Sequence, residues 1–177
     1  MDRGILDETF VVTGGTAGLV SGGRRRATPV WAVLTLLGVP LCHQAQAATV
    51  TREITIENTP AAVWDAVRDV GAVDRRLAAG LVVSDHLEGG IRTVTFANGK
   101  VVREVIISID DQTRRVTFAP VGGAATHQNS SMQVFASGEG SRLVWITDIL
   151  PDSLAGSVAD SVKNIVTVIK TTLERKQ

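Results

Sequence analysis

The sequence predicts an α+β fold: a curved antiparallel sheet of six or seven strands wrapped around one long C-terminal helix, with two short helices after the first strand. Three observations predict it. Residues 80–123 hold strand-like runs rich in Val, Ile, Thr and Phe, broken by Glu88-Gly89-Gly90, Asn98-Gly99 and Asp110-Asp111. Asn-Gly between β-formers is a strong hairpin signal, because both turn positions tolerate positive φ. Farther on, Leu154, Val158, Val162, Ile165, Ile169 and Leu173 recur at spacings of three and four, the stripe of a long amphipathic helix. Between these regions strand succeeds strand with no crossover helix, which makes the sheet antiparallel rather than doubly wound.

In chain order, Thr49–Ile56 alternates and is rich in β-branched residues, the pattern of a first strand. Thr59 suits an N-cap and Pro60 the first helical position, where a missing N–H is no loss. Val63, Trp64 and Val67 then share one side of a short helix, with Asp65, Arg68 and Asp69 on the other, and Gly71 ends it. Val73–Ala79 makes a second short helix or turn before the meander of residues 81–121. Thr126–Ala136 and Arg142–Leu150 are two more strands joined by Ser137-Gly138-Glu139-Gly140, and Pro151-Asp152-Ser153 opens the long helix. One helix covers only one face of so large a sheet, so the sheet must curl around it, an arrangement that leaves a cavity.

The chain has 177 residues, 44% of them apolar, enough for one domain with a sizeable core. Eighteen basic and eighteen acidic side chains cancel, and nothing suggests a nucleic-acid partner. Cys42 alone cannot build a disulfide framework or a cysteine metal site. Residues 1–47 differ from the rest. Arg24-Arg25-Arg26, an apolar run from Ala27 to Leu41 and Ala45-Gln46-Ala47 match the grammar of a secretory signal peptide. The run is short for a membrane span. Cleavage after Ala47 would leave a ligand-binding domain of residues 48–177, exported and without a membrane span. Some twenty residues precede the charged region, more than a signal peptide usually carries, which places the expected start nearer Arg24. The alternative is that all of residues 1–47 are a mis-assigned upstream extension of a cytoplasmic protein.

From Val50 to about Glu174 the sequence resembles the helix-grip superfamily of birch-pollen-type allergens, StAR-related lipid-transfer domains and bacterial polyketide cyclases, often labelled SRPBCC. The resemblance rests on Pro60-Ala61-Ala62-Val63-Trp64, Gly90-Ile91-Arg92, the stretch Gly99–Asp111, Arg114-Arg115-Val116, and the Trp145 strand with its long helix. It implies an internal cavity for a small hydrophobic ligand and no cofactor. Glu104 to Gly123 with Asn129 is also similar to the plant abscisic-acid receptors. Where those place an anchoring lysine, this chain reads Leu81-Val82-Val83-Ser84, and its gate loop is shortened to Leu87–Gly90, so a hormone-receptor role is not implied. Many relatives have a Trp where this chain has Arg75-Arg76-Leu77.

Strand parity puts Val102, Glu104, Ile106 and Ser108 on one face. If that face is concave, Glu104 is a carboxylate on an apolar wall, where desolvation would raise its pKa and suit it to acid/base work or a ligand hydrogen bond. The alternative is a rim carboxylate paired with Arg92 or Arg103. His127, Asn129 and Ser131 share a face of a later strand, either a polar strip toward the ligand or a solvated outer surface. Trp64, Trp145, Val162 and Ile165 either line the cavity or pack the core. His86 beside Asp85 and Glu88 reads as surface, and no metal site is expected. No nucleophile elbow accompanies His127 and Asp148, and no phosphate-cradling glycine loop or zinc spacing occurs.

Two functions fit: binding or transport of a small hydrophobic ligand (lipid, polyketide or aromatic), or a polyketide cyclase/aromatase-like enzyme in which Glu104 or His127 moves protons. The enzyme reading has few polar groups to work with, and the chain contains no Tyr. The sequence does not specify ligand or oligomeric state.

Overall fold

The structure, a computed structural model, describes residues 47–175, so the leader assigned to residues 1–47 lies outside the described residues except for Ala47. Strand β1 (Ala48–Ile56) leads through Thr59 to helix α1 (Pro60–Arg68). Thr59 is extended and its hydroxyl accepts the Ala62 N–H at 3.3 Å, while Pro60 takes the first turn, as capping chemistry requires. The second short helix is a single π-helical turn, Val73–Leu77. Five strands come next: β2 (Val82–Glu88), β3 (Ile91–Phe96), β4 (Val101–Asp110), β5 (Arg115–Pro120) and β6 (His127–Ser137). Strand β7 (Gly140–Leu150), a 3-10 turn (Asp152–Leu154) and helix α2 (Ala155–Glu174) complete the domain.

The seven strands form one antiparallel sheet in the order β1-β7-β6-β5-β4-β3-β2, so β1, first in sequence, closes against β7. This is the helix-grip α+β architecture, with the upper of the two expected strand counts. At the β1–β7 junction Gly140 has an ordinary backbone conformation but no room for a side chain: a Cβ there would stand 2.5 Å from the Ile56 carbonyl oxygen.

The core fills the concave side toward one end. Ile56, Val63, Val67, Met132, Leu143 and Ile169 are almost wholly buried, each worth about 1.5–3 kcal/mol of apolar transfer. Helix α1 packs on β5, β6 and β7, whereas α2 lies chiefly on β1 and the π-helical turn. From the α2 stripe Val162 and Ile169 are buried together with Val166, and Val158, Ile165 and Leu173 pack partly against them. Polar bonds fasten the helix end. Lys170 Nζ donates to the Thr55 carbonyl and to Glu174 Oε1, both at 2.6 Å, and the Glu57 N–H donates to the same Glu174 oxygen at 2.7 Å. The Lys170 ammonium, helped by that N–H, holds the Glu174 carboxyl below the usual range.

Two bulges break the strand period. Ile107 is the extra residue between Ile106, which faces Phe118, and Ser108, which faces Thr117. Val83 is the extra residue between Val82 and Ser84. A bulge adds one residue to one strand and reverses the parity of everything beyond it. Ser108 therefore does not share the face of Glu104, contrary to the simple alternation read from the sequence.

Candidate functional site

The register assigns each side chain to a face. Inward rows run across the sheet through Arg92, Glu104, Pro120 and through Ile106, Phe118, Ser130, Thr147 and Val50. His127 and Asn129 pair with Leu150 and Asp148 on the opposite, convex face. A role for them as inward ligand contacts is thereby corrected: the parity of β6 turns Gln128 and Ser130 inward instead. His127 is exposed, and Asn129 is half-buried, with its Oδ1 buried and without a hydrogen-bond partner.

Glu104 does face inward, but it does not stand alone on an apolar wall. Its register partner is Arg92, whose Nε and Nη2 both donate to Glu104 Oε2, at 3.0 and 2.6 Å. The two side chains are 5% and 16% exposed, so this is an ion pair removed from bulk water. Arg103, the other possible partner, pairs with Thr93 on the convex face. The Arg92 guanidinium also sits 5.1 Å from the Phe118 ring centroid, a cation–π contact, and Phe118 meets Trp145 edge-on at 5.6 Å. Trp145 Nε1 donates to Thr147 Oγ1 at 2.9 Å, and Thr147 and Ser130 share a hydrogen bond of 2.9 Å. The concave wall thus carries a continuous chain, Glu104–Arg92–Phe118–Trp145–Thr147–Ser130. Two polar atoms on it have no hydrogen-bond partner among the described residues: Arg92 Nη1 and Glu104 Oε1.

The other expected lining residues divide between wall and core. Val102 and Ile106 face inward and are only half-buried, as is Pro120 across from Glu104. Val162 is buried in the core and Ile165 packs partly against it. Trp64 is 7% exposed, and its Nε1 donates to Asp111 Oδ1 at 2.9 Å while Arg68 pairs with the same carboxylate at 3.2 Å. It joins α1 to the β4–β5 turn and packs the core rather than an open wall. Trp145 is likewise core, at 8% exposure, but its indole N–H reaches the polar chain.

Sequence reasoning missed Ser130 and Thr147, whose alternation in β6 and β7 could have found them once the convex face was identified. It named Arg92 as a possible partner but missed that its guanidinium is the buried one among the described residues. His86 lies exposed on the convex side, 3.7 Å from Glu88.

Two grooves lie elsewhere. One of 550 Å³ runs between α1, the π-helical turn and the end of α2, lined by Asn58, Asp65, Arg76, Thr172 and Arg175 among others. A second, of 310 Å³, lies between Ala79–Leu81 and α2. No strand residue lines either. In the larger groove Arg76 is already held by Asp65 and Asp69. No described helix is long and apolar enough to cross a membrane.

The family model for polyketide cyclase / dehydrase and lipid transport matches residues 47–175. Among solved structures, a Bacillus thuringiensis protein shares 17% identity over 71% of this chain and 98% of its own, with a TM-score of 0.64. Truncated norcoclaurine synthase from Thalictrum flavum shares 15% over 75% and 96%, with a TM-score of 0.61. Ara h 8.0201 shares 20% over 72% and 98%, with a TM-score of 0.55. At these identities the likeness is one of fold. The comparison with curated proteins finds no match.

Proposed function

This chain belongs to the polyketide cyclase / dehydrase and lipid transport family, and on that premise we propose that it binds a small hydrophobic ligand (a lipid, polyketide or aromatic compound) on the concave face of the sheet. The observation that carries the proposal is the state of the wall at β4 and β5: inward Val102, Ile106 and Pro120 stay half-buried beside a single, nearly buried ion pair. Such a mix of apolar surface with one polar anchor is how small-molecule sites are built. Arg92 Nη1 then offers a hydrogen bond to an acceptor on the ligand, while Glu104 and Phe118 hold the guanidinium in place. A related fold supports the reading: a norcoclaurine synthase structure contains dopamine and hydroxybenzaldehyde.

Native mass spectrometry of freshly purified protein tests it. A co-purifying lipid or aromatic molecule is the expected result, and a protein that stays empty against a broad hydrophobic library overturns the proposal.

One observation favours a second reading, a cyclase- or aromatase-like enzyme. Both bonds from Arg92 fall on Glu104 Oε2, leaving Oε1 free to take a proton from a bound substrate. Glu104→Gln keeps an acceptor for Arg92, so loss of turnover with ligand binding intact would assign the enzyme role. His127, on the convex face, is not a candidate for that chemistry.

Export belongs to the same proposal, supported by Arg24–Arg26, the apolar run and the Ala45-Gln46-Ala47 site. A mature N-terminus at Ala48 is expected on sequencing the protein from its native host; an intact leader there would favour the cytoplasm.

A further inference from the structure

We propose that the ligand of the concave wall carries an uncharged head group with both an acceptor and a donor (an amide, an alcohol or a phenol), and that Glu104 makes the wall reject carboxylates. This rests on the reading of the wall as a hydrophobic-ligand site and adds the chemistry of the ligand's polar end. Arg92 Nε and Nη2 both donate to Glu104 Oε2, at 3.0 and 2.6 Å. Arg92 Nη1 and Glu104 Oε1 have no partner among the described residues, and neither is sealed off, as the partnerless Oδ1 of Asn129 is. The ion pair therefore presents one unused donor group and one unused acceptor to the same concave space.

Charge decides against an anion. The ionisable side chains turned inward from the described strands are Arg52, Asp85, Arg92 and Glu104. Arg52 lies on β1, at the opposite edge of the sheet order, and donates to the Thr51 carbonyl at 2.9 Å. The inward strand groups nearest Arg92 are carboxyls: Glu104 beside it, and Asp85 one row away on β2, where it accepts the Val73 N–H. Arg92 is thus already balanced. A carboxylate ligand would bring a further negative charge against Oε1, at a pair only 5% and 16% exposed, where water screens little. An ammonium ligand would meet the guanidinium in the same way. An uncharged head meets neither repulsion: its acceptor takes a hydrogen bond from Nη1 and its donor gives one to Oε1.

The remaining polar groups of the wall leave that balance unchanged. Ser130 and Thr147 are bonded to each other, and Thr147 also accepts the Trp145 indole N–H. Gln128 of β6 faces inward as an uncharged amide. The Phe118 ring, 5.1 Å from the guanidinium, and the two bonds to Glu104 keep Arg92 from turning away to serve an anion alone. Half-buried Val102, Ile106 and Pro120 supply apolar surface beside the pair for the rest of the ligand. The same head-group chemistry applies to a ligand that is stored and to one that is transformed.

Two matched pairs of probes differ only at the head: decanamide with decanoate, and 4-ethylbenzamide with 4-ethylbenzoate. In calorimetric titration of the full chain at about pH 8, where both acids are ionised, the amide should bind at least about tenfold tighter than its carboxylate in whichever pair the wall accepts. Glu104→Gln should reverse the order, chiefly by strengthening the carboxylate. The glutamine oxygen still accepts from Arg92, while its NH2 stands where Oε1 stood, so the site gains a net positive charge and a second donor. A carboxylate that binds the unmodified protein as well as its amide does, or an order that survives Glu104→Gln, overturns the proposal. If the variant does not fold, the ratio of amide to carboxylate binding in the unmodified protein decides. Binding of none of the probes overturns the proposal too, and native mass spectrometry then separates the two readings. A co-purifying hydrophobic molecule keeps the ligand site and discards only this head-group chemistry, whereas an empty protein discards both.

Discussion

The two halves of the concave face solve the same problem in different ways. Under α1, strands β5–β7 carry Val116, Met132, Val134, Leu143 and Trp145, all buried against Val63, Trp64 and Val67. Toward β3 and β4, away from α1, the same inward parity carries Val102, Glu104, Ile106 and Arg92, with a charged pair where the first half has Met132 and Trp145. One half is a packed core. The other is a wall with exposed apolar edges and a satisfied but incompletely used polar group. The contrast teaches that curvature alone does not decide how a face is filled: the half under α1 becomes core, whereas Val102, Ile106 and Pro120 beyond it stay half-buried.

Substitutions can break that contrast. Trp145→Ala should have the largest effect, about 4 kcal/mol of lost stability in urea denaturation, because it empties the packed half and deprives Thr147 of its indole donor. Glu104→Leu should cost about 3 kcal/mol by leaving a nearly buried guanidinium unpaired, and adding Arg92→Met should recover most of the loss. If the double variant is no better than the single, the pair is not what holds that wall. Ile106→Ala should cost about 1 kcal/mol, since the side chain is only part-buried, yet it should reduce retained hydrophobic adducts in native mass spectrometry more than Trp64→Phe does. Equal effects on adducts would erase the distinction between core and wall.

The smallest effect is expected at the end of α2. Glu174 titrates below the ordinary range when folded, so its contribution is present above that range and is lost as the pH falls through the lowered value. Glu174→Gln should therefore change the urea midpoint slightly near neutrality and not at all once the carboxyl is protonated. A difference that persists in acid would mean that the Lys170 and Glu57 contacts do not depend on the charge.

The elements were legible because their signals are local: Thr59-Pro60 at the start of α1, Asn98-Gly99 between β3 and β4, and the apolar stripe of α2. The inward placement of Val102, Glu104 and Ile106 was legible for the same reason, since alternation holds until Ile107. Beyond that residue it fails, because nothing in Ile106-Ile107-Ser108 announces which of the three residues will be the extra one. The orientation of His127 was not legible either: a strand with polar residues at both parities, Gln128 and Ser130 on one and His127 and Asn129 on the other, leaves its face undecided until its neighbours are known. Trp64 was placed on its helix face but not with its partner, because Asp111 lies 47 residues away and only the folded β4–β5 turn brings it near.

Gly140 bears on how this domain can be altered by mutagenesis. Loop glycines such as Gly89 and Gly99 have left-handed backbones with open space around them, so substitution there meets conformational strain but no collision. Gly140 has the opposite limit, an ordinary backbone and a carbonyl oxygen where a side chain would begin. A library that diversifies the turns to retune the domain should therefore yield weakened but folded members at the first kind and a gap at the second, where even alanine would pry the closing strand from its neighbour.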